Sequence, residues 1–369
     1  MSLTQFIRRP EVSKLFGALD VERFKPPART ILAPPITKSP QRVGTAFDYL
    51  LRFFVKFHNP HALGKTWVAE NSKYYFTLPY TESELMSLAH SELERKRIEF
   101  RKRQLQAEEY LEDARAFYRA YLRTGLITDD LLMSTLRLAG LDVAVRAGAG
   151  KIDWRALENV DPVDIEDLKA LIGIVNKDMF ATSSGCFLNP YFNYASSMVG
   201  GADADVIVGS SIIDIKTTKS ISLDKRDIYQ VLGYYILALL DGVCAEEKKE
   251  IDWRKRYPDS PSFAKSMAQW EYDNSMTRDH YTKAFHEITS IGLYYSRYGY
   301  MHKIQISELL PQDQIEQFAR VFVRLASTDK RNCIFWWKKF NSHFARNQRN
   351  KMKVDNSICN KPRTSQVER

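Results

Sequence analysis

The chain has 369 residues, 44% of them hydrophobic and 12% aromatic, with 54 Lys and Arg against 45 Asp and Glu. That size and apolar content predict a globular protein with a large buried core, in one elaborated domain or two. The longest apolar run, residues 234–240, is far short of the roughly 20 residues a membrane-spanning helix needs, and residues 1–16 lack the apolar stretch of a secretory signal. The four cysteines, Cys186, Cys244, Cys333 and Cys359, are dispersed and form no C-x-x-C. Free thiols in a reducing, cytoplasmic setting are expected, with no membrane partner.

In chain order, residues 9–41 hold Pro10, Pro26, Pro27, Pro34, Pro35 and Pro40. They predict a mostly extended, irregular arm over residues 1–42. Residues 44–56 predict an amphipathic helix with Phe47, Leu50, Leu51 and Phe54 inward, at i, i+3, i+4 and i+7, within a first core helix at 43–60. Residues 81–123 are long, highly charged and helical in pattern, opening at a Thr81-x-x-Glu84 capping box. Further helices are expected at 128–138 and at 162–176, the latter with Asp161 as N-cap and Pro162 in its first turn. Residues 80–180 thus read as a large helical insertion.

Residues 206–208 and 212–216 are short, β-branched runs around Gly209-Ser210-Ser211, the pattern of a β-hairpin. A helix follows at 227–240, then a strand at 288–298, a hairpin partner at 301–306 and an amphipathic helix at 312–326. Residues 186–329 form the expected α/β core. Residues 330–369 carry eleven Lys and Arg against two acidic residues, which accounts for the whole net charge of +9. That segment opens on Phe335-Trp336-Trp337-Lys338-Lys339-Phe340. Rings interleaved with cations suit nucleic acid, with charges for phosphates and rings for bases. A final helix docking Phe335, Trp336 and Phe340 on the core, followed by a solvated tail, fits the same residues.

Residues 200–219 read GGADADVIVGSSIIDIKTTK, and Gln230-Val231-Leu232-Gly233-Tyr234 follows. Strand side chains alternate faces, so Asp203, Asp205 and Ile207 share one face of the first strand. Ile212, Asp214 and Lys216 share a face of the second, with Ile213 and Ile215 opposite. Two carboxylates and an ammonium therefore converge at one end of the hairpin. Neighbouring carboxylates repel unless one is protonated or a cation lies between them. Mg²⁺ suits such a site, because it is held by one or two carboxylates plus waters and phosphate oxygens.

These residues resemble the PD-(D/E)XK nuclease superfamily and, within it, the RecB-like branch. Asp205 looks like the first aspartate of the motif, Asp214-Ile215-Lys216 like the D/E-x-K, and Gln230 with Tyr234 like the Q-x-x-x-Y of the following helix. Asp203 competes with Asp205 for the first position, through Gly200-Gly201-Ala202-Asp203. Upstream, Val43-Gly44-Thr45-Ala46-Phe47-Asp48 is similar to the first helix of RecB-type nucleases, with Asp48 where a histidine often stands. The resemblance implies an α/β fold, the restriction-endonuclease-like α/β/α sandwich, here with the helical insertion. It implies a Mg²⁺- or Mn²⁺-dependent deoxyribonuclease acting as exonuclease or endonuclease on DNA. Asp205 and Asp214 would bind metal, with Asp203 a helper, and a carboxylate at Asp48 would also reach it. Lys216 would act on the attacking water or on transition-state charge, and Gln230 and Tyr234 would orient the scissile strand or Lys216. DNA repair, phage biology and anti-phage defence are all compatible, and a homo-oligomer stays open.

The alternative is a nucleic-acid-binding module of the same fold that no longer cleaves, against which the intact D…D-x-K argues. Iron–sulfur members of the branch carry clustered cysteines, a spacing this chain lacks. The histidines show no ligand spacing beyond His58 and His61, which read as loop-packing residues. No G-x-x-x-x-G-K-[ST] is present, so no nucleotide cofactor is expected, and no G-x-S-x-G appears.

Overall fold

The computed structural model describes residues 2–64, 66–75, 90–222, 224–243 and 288–326. Their helices are α1 (Leu3–Ile7), α2 (Pro10–Gly17), α3 (Pro40–His58), α4 (His90–Thr124), α5 (Asp129–Ala147), α6 (Trp154–Glu158), α7 (Pro162–Gly173), α8 (Asn193–Met198), α9 (Lys225–Asp241), α10 (Ile306–Leu309) and α11 (Gln312–Ala326). The strands are β1 (Leu63–Gly64), β2 (Cys186–Leu188), β3 (Val206–Val208), β4 (Ser211–Lys216), β5 (Ser290–Tyr295) and β6 (Tyr300–Gln305).

The strands form one mixed sheet in sequence order, β1 to β6. β2, β3 and β4 are an antiparallel meander, and β4 and β5 run parallel. Parallel neighbours need a long crossover, and α9 is the described part of it. β5 and β6 close the sheet as an antiparallel pair. The β3–β4 turn is two residues long, because Val208 pairs with Ser211. Gly209 occupies the left-handed region there, with φ 55°, as a tight hairpin turn demands. Ser211, expected in the turn, instead opens β4, where its hydroxyl shares a 2.7 Å hydrogen bond with that of Ser290 on β5.

Alternation along the strands divides the interior into two cores. Ile207, Ile212, Ile291 and Leu293 pack with Leu3, Phe16, Leu232, Ile236 and Phe322, from α1, α2, α9 and α11. Val206, Val208, Ile213, Ile215 and Tyr294 pack with Phe47, Leu51, Leu136 and Leu168, from α3, α5 and α7. Helices thus cover both faces of the sheet, an α/β architecture in which β4 is buried on each side.

Most expected elements are present, with shifted ends. α3 extends the predicted helix at both ends. α5 begins where Thr128 accepts from the Leu131 amide and runs on to Gly148, whose φ of 93° ends it. Asp161 caps α7 by accepting from the Val163 amide at 2.9 Å. Others are corrected or refined, or fall outside the description. The proline-rich arm is not irregular throughout, because Pro10 sits in the first turn of α2, where its fixed φ and missing N–H cost nothing. Within the helical block expected at 80–180, α5 and α7 help to build one of the two cores. The Thr81-x-x-Glu84 box, Cys244, Cys333, Cys359 and residues 330–369 lie outside the described residues.

One buried ion pair ties the layers together. Arg297, just past β5, is 1% exposed, and Asp167 on α7 is 0% exposed. Nη1 and Nη2 donate to Oδ1 and Oδ2 at 2.9 Å each, and Nη1 also donates to the Ala33 carbonyl at 3.1 Å. The Arg297 carbonyl accepts from the amides of Leu32 and Ala33. Removing one partner strands a buried charge, which costs about 3–5 kcal/mol. Asp167→Ala should therefore lower apparent stability by about that amount in urea unfolding, whereas Asp167→Leu combined with Arg297→Met should recover part of the loss.

Candidate active site

Period-two alternation turns Asp214 and Lys216 toward α9, while Ile213 and Ile215 enter the opposite core. Asp214 is only 4% exposed. Gln230 and Tyr234 lie one turn apart on α9, on the face that meets β4. Gln230 Nε2 donates to Asp214 Oδ1 at 3.3 Å and to the Tyr234 hydroxyl at 2.8 Å. The Tyr234 ring stacks on Phe192, with centroids 5.6 Å apart. Lys216 Nζ lies 2.8 Å from Asp214 Oδ2 and 2.8 Å from Asp227 Oδ1.

Asp227 was missed in the sequence. Its signal was available, because it precedes Gln230 by three residues and so shares that helix face. The segment after β4 is held by hydroxyls that sequence patterns also did not reveal. Ser296 Oγ donates to Thr217 Oγ1 at 3.0 Å, Tyr295 to the Ser222 carbonyl at 3.1 Å and Tyr298 to the Lys219 carbonyl at 2.7 Å.

Asp205 sits at the end of β3. The pairing Val206 with Ile213 would set residue 204 opposite Ile215. The ladder stops first, and Asp205 Oδ2 takes the Ile215 amide at 2.7 Å instead. Asp203, one pair further out, is exposed and forms an isolated bridge with Tyr191. Asp48 on α3 comes in from the other side of the sheet.

Burial raises the Asp48 carboxyl well above its ordinary range, and the charges of Asp205 and Asp214 add to this. Burial also raises Asp205, against the donated Ile215 amide. Asp214 is pushed up to about 7, first by burial; the Lys216 charge opposes this and the Asp205 charge reinforces it. The structure thus brings Asp48, Asp205, Asp214, Lys216, Gln230 and Tyr234 into one electrostatic neighbourhood. Asp203 acts there on Tyr234, whose hydroxyl burial raises far above its usual value. Lys216 behaves differently. Burial works against its charge, but Asp214 and Asp227 outweigh that, so its pKa lies above the ordinary lysine range.

Asp214 Oδ2 tests whether a cation suits this site. It is buried without a hydrogen-bond donor, since the 2.8 Å approach of Lys216 is an ion contact off the hydrogen-bond direction. The Lys216 ammonium already offsets its charge, and an oxygen that accepts no hydrogen bond keeps lone pairs that a metal ion could use. Among the described residues no three Asp, Glu, His or Cys side chains form a ready-made cage. Mg²⁺ needs only one or two carboxylates, and Asp205 and Asp214 can supply them. His61 is elsewhere, with Nε2 2.8 Å from the Ser184 carbonyl, and Cys186 is a buried thiol pushed up to about 12 by burial. Compared with known proteins, the chain matches no family model, no curated protein and no solved structure.

The raised Asp214 carboxyl has a consequence for stability. Between about pH 4 and pH 7 the folded protein holds a proton there that the unfolded chain has released, so stability falls as pH rises through that window and levels above it. Asp214→Asn escapes this loss. In EDTA its melting temperature should exceed that of the parent at pH 8, and the difference should shrink toward pH 4. A variant that is less stable at pH 8 would mean that the Lys216 ion pair outweighs the burial of Asp214.

Proposed function

We propose that this chain is a Mg²⁺- or Mn²⁺-dependent deoxyribonuclease of the PD-(D/E)XK superfamily, in its RecB-like branch. The observation that carries the reading is Asp214. A carboxylate buried in a central strand is paired at 2.8 Å with a charged lysine two residues on and stands near a second aspartate just before the neighbouring strand. The succession of α3, the β2–β3–β4 meander, α9 and parallel β5, with helices on both faces, also supports it.

Asp205 and Asp214 would hold the metal, with the Asp48 carboxyl close enough to feel their charges. A bound Mg²⁺ or Mn²⁺ polarises a phosphodiester and makes a bound water more acidic. The chain's own groups do the rest. Gln230 fixes Asp214 through Oδ1, leaving Oδ2 to be shared between Lys216 and a ligand, and Tyr234 fixes Gln230. Lys216 remains an ammonium between Asp214 and Asp227, which suits it to neutralise charge building on the phosphate rather than to take a proton. The water would lose a proton to solvent as its oxygen bonds to phosphorus, the bond to the leaving sugar oxygen would break, and that oxygen would take up a proton from solvent, so that one water is added overall.

Purified protein incubated with linear, circular and single-stranded DNA should cleave in Mg²⁺ or Mn²⁺ and not in EDTA. Asp205→Asn and Asp214→Asn should each abolish cleavage, and Asp203→Asn should cost much less. Full activity in Asp214→Asn would sink the mechanism. Lys216→Ala should slow turnover by about 10²- to 10³-fold, the scale of a lost transition-state donor. Its DNA affinity in Ca²⁺ should persist, because the lysine serves the transition state more than the bound ground state.

A further inference from the structure

One turn beyond Asp48, α3 carries Arg52. Its Nε donates to the Asp48 carbonyl at 3.0 Å, and its guanidinium carbon lies 4.7 Å from the centre of the Tyr49 ring. Tyr49 is fully buried, and its hydroxyl donates to Asp142 Oδ1 on α5 at 2.6 Å. Asp142 Oδ2 meets Arg146 Nη2 at 3.4 Å, one turn further along α5. Two guanidinium groups from two helices are thus mounted on one buried Tyr49–Asp142 pair.

Both have donors to spare. The Arg146 side chain is 68% exposed although its partner Asp142 is buried. Among the described residues no carboxylate forms an ion pair with Arg52. The two cations also bear on the acidic site. Burial raises the carboxyls of Asp48 and Asp205, and the charges of Arg52 and Arg146 both oppose it.

A cluster of aspartates repels a polyanion, and the carboxylates that would serve a metal cannot also attract a strand. Residues 1–329 carry no net charge, so attraction at this point has to be local. A guanidinium is a planar fork matched to phosphate oxygens, and stacking on a buried ring fixes its orientation beforehand. We propose that Arg52 and Arg146 form a phosphate-binding subsite that holds the DNA strand beside the phosphodiester to be cut. The inference rests on the nuclease reading. Its ligand is a phosphate of the strand, either an internal phosphodiester or a terminal 5′-phosphate.

The test uses the full-length protein in Ca²⁺ with 5′-phosphorylated, 5′-hydroxyl and circular single-stranded DNA, across a salt series. Arg52→Met retains an apolar stem over Tyr49 and removes the fork, and Arg146→Gln removes the second charge. Each should weaken binding about tenfold, as expected for one lost charge-assisted contact. Each should also reduce the slope of log affinity against log salt by about 0.7. A purely structural role would not change that slope. Loss confined to 5′-phosphorylated strands assigns the subsite to a terminal phosphate, and loss on all three substrates assigns it to an internal one.

Wild-type affinity and slope in both variants, with the parent still cutting DNA, would overturn the subsite and leave the nuclease reading standing. A parent that neither binds nor cuts DNA removes both. If Arg52→Met does not fold, Arg52→Lys decides, since it keeps the charge and therefore the slope but loses the fork. Unchanged affinity in that variant overturns the proposal.

Discussion

Everything at the site depends on β4 being covered on both faces. A strand in that position has room for apolar side chains, and Ile212, Ile213 and Ile215 comply. Asp214 does not, and its burial is tolerable only because neighbours answer for it. Gln230 meets one oxygen and the Lys216 ammonium lies against the other. Lys216 in turn needs Asp227. The polar chain from Tyr234 through Gln230, Asp214 and Lys216 to Asp227 is a single construction between β4 and α9, and a change at any member alters the electrostatics of the rest.

The second helical layer enters the site by a different route. α5 packs on α3 beneath the sheet, so Asp142 and Arg146 become neighbours of Asp48 although almost a hundred residues of sequence separate them. A block that reads as an insertion is therefore part of the frame around the acidic site. α5 contributes Arg146 together with its partner Asp142, where β4 contributes Asp214. The site combines an acidic floor suited to a cation with a basic flank suited to an anion.

Much of this was legible in the sequence, and the limits have physical causes. The hairpin, the shared face of Asp214 and Lys216, and the caps at Thr128 and Asp161 follow from local rules, and local rules held. α2 was legible too, since Val12, Leu15 and Phe16 fall at i, i+3 and i+4, but the prolines were read only as breakers. Asp227 was hidden by its own ordinariness, an acidic residue in the first turn of a helix. Arg297 with Asp167, and Tyr49 with Asp142, are contacts across 130 and 93 residues, and no periodicity encodes them.

Asp205 has two occupations. Its carboxylate faces the acidic centre, and it also closes the sheet, taking the Ile215 amide where β3 has run out. The sheet would need that rung whatever the site does, so an aspartate here is a poor witness to activity. Lys216 also has a second post, since its ammonium offsets the buried charge of Asp214 and is held in turn by Asp227. Two side chains of the site are thus tied to the folding of the strands themselves, and their presence alone says more about the sheet than about chemistry.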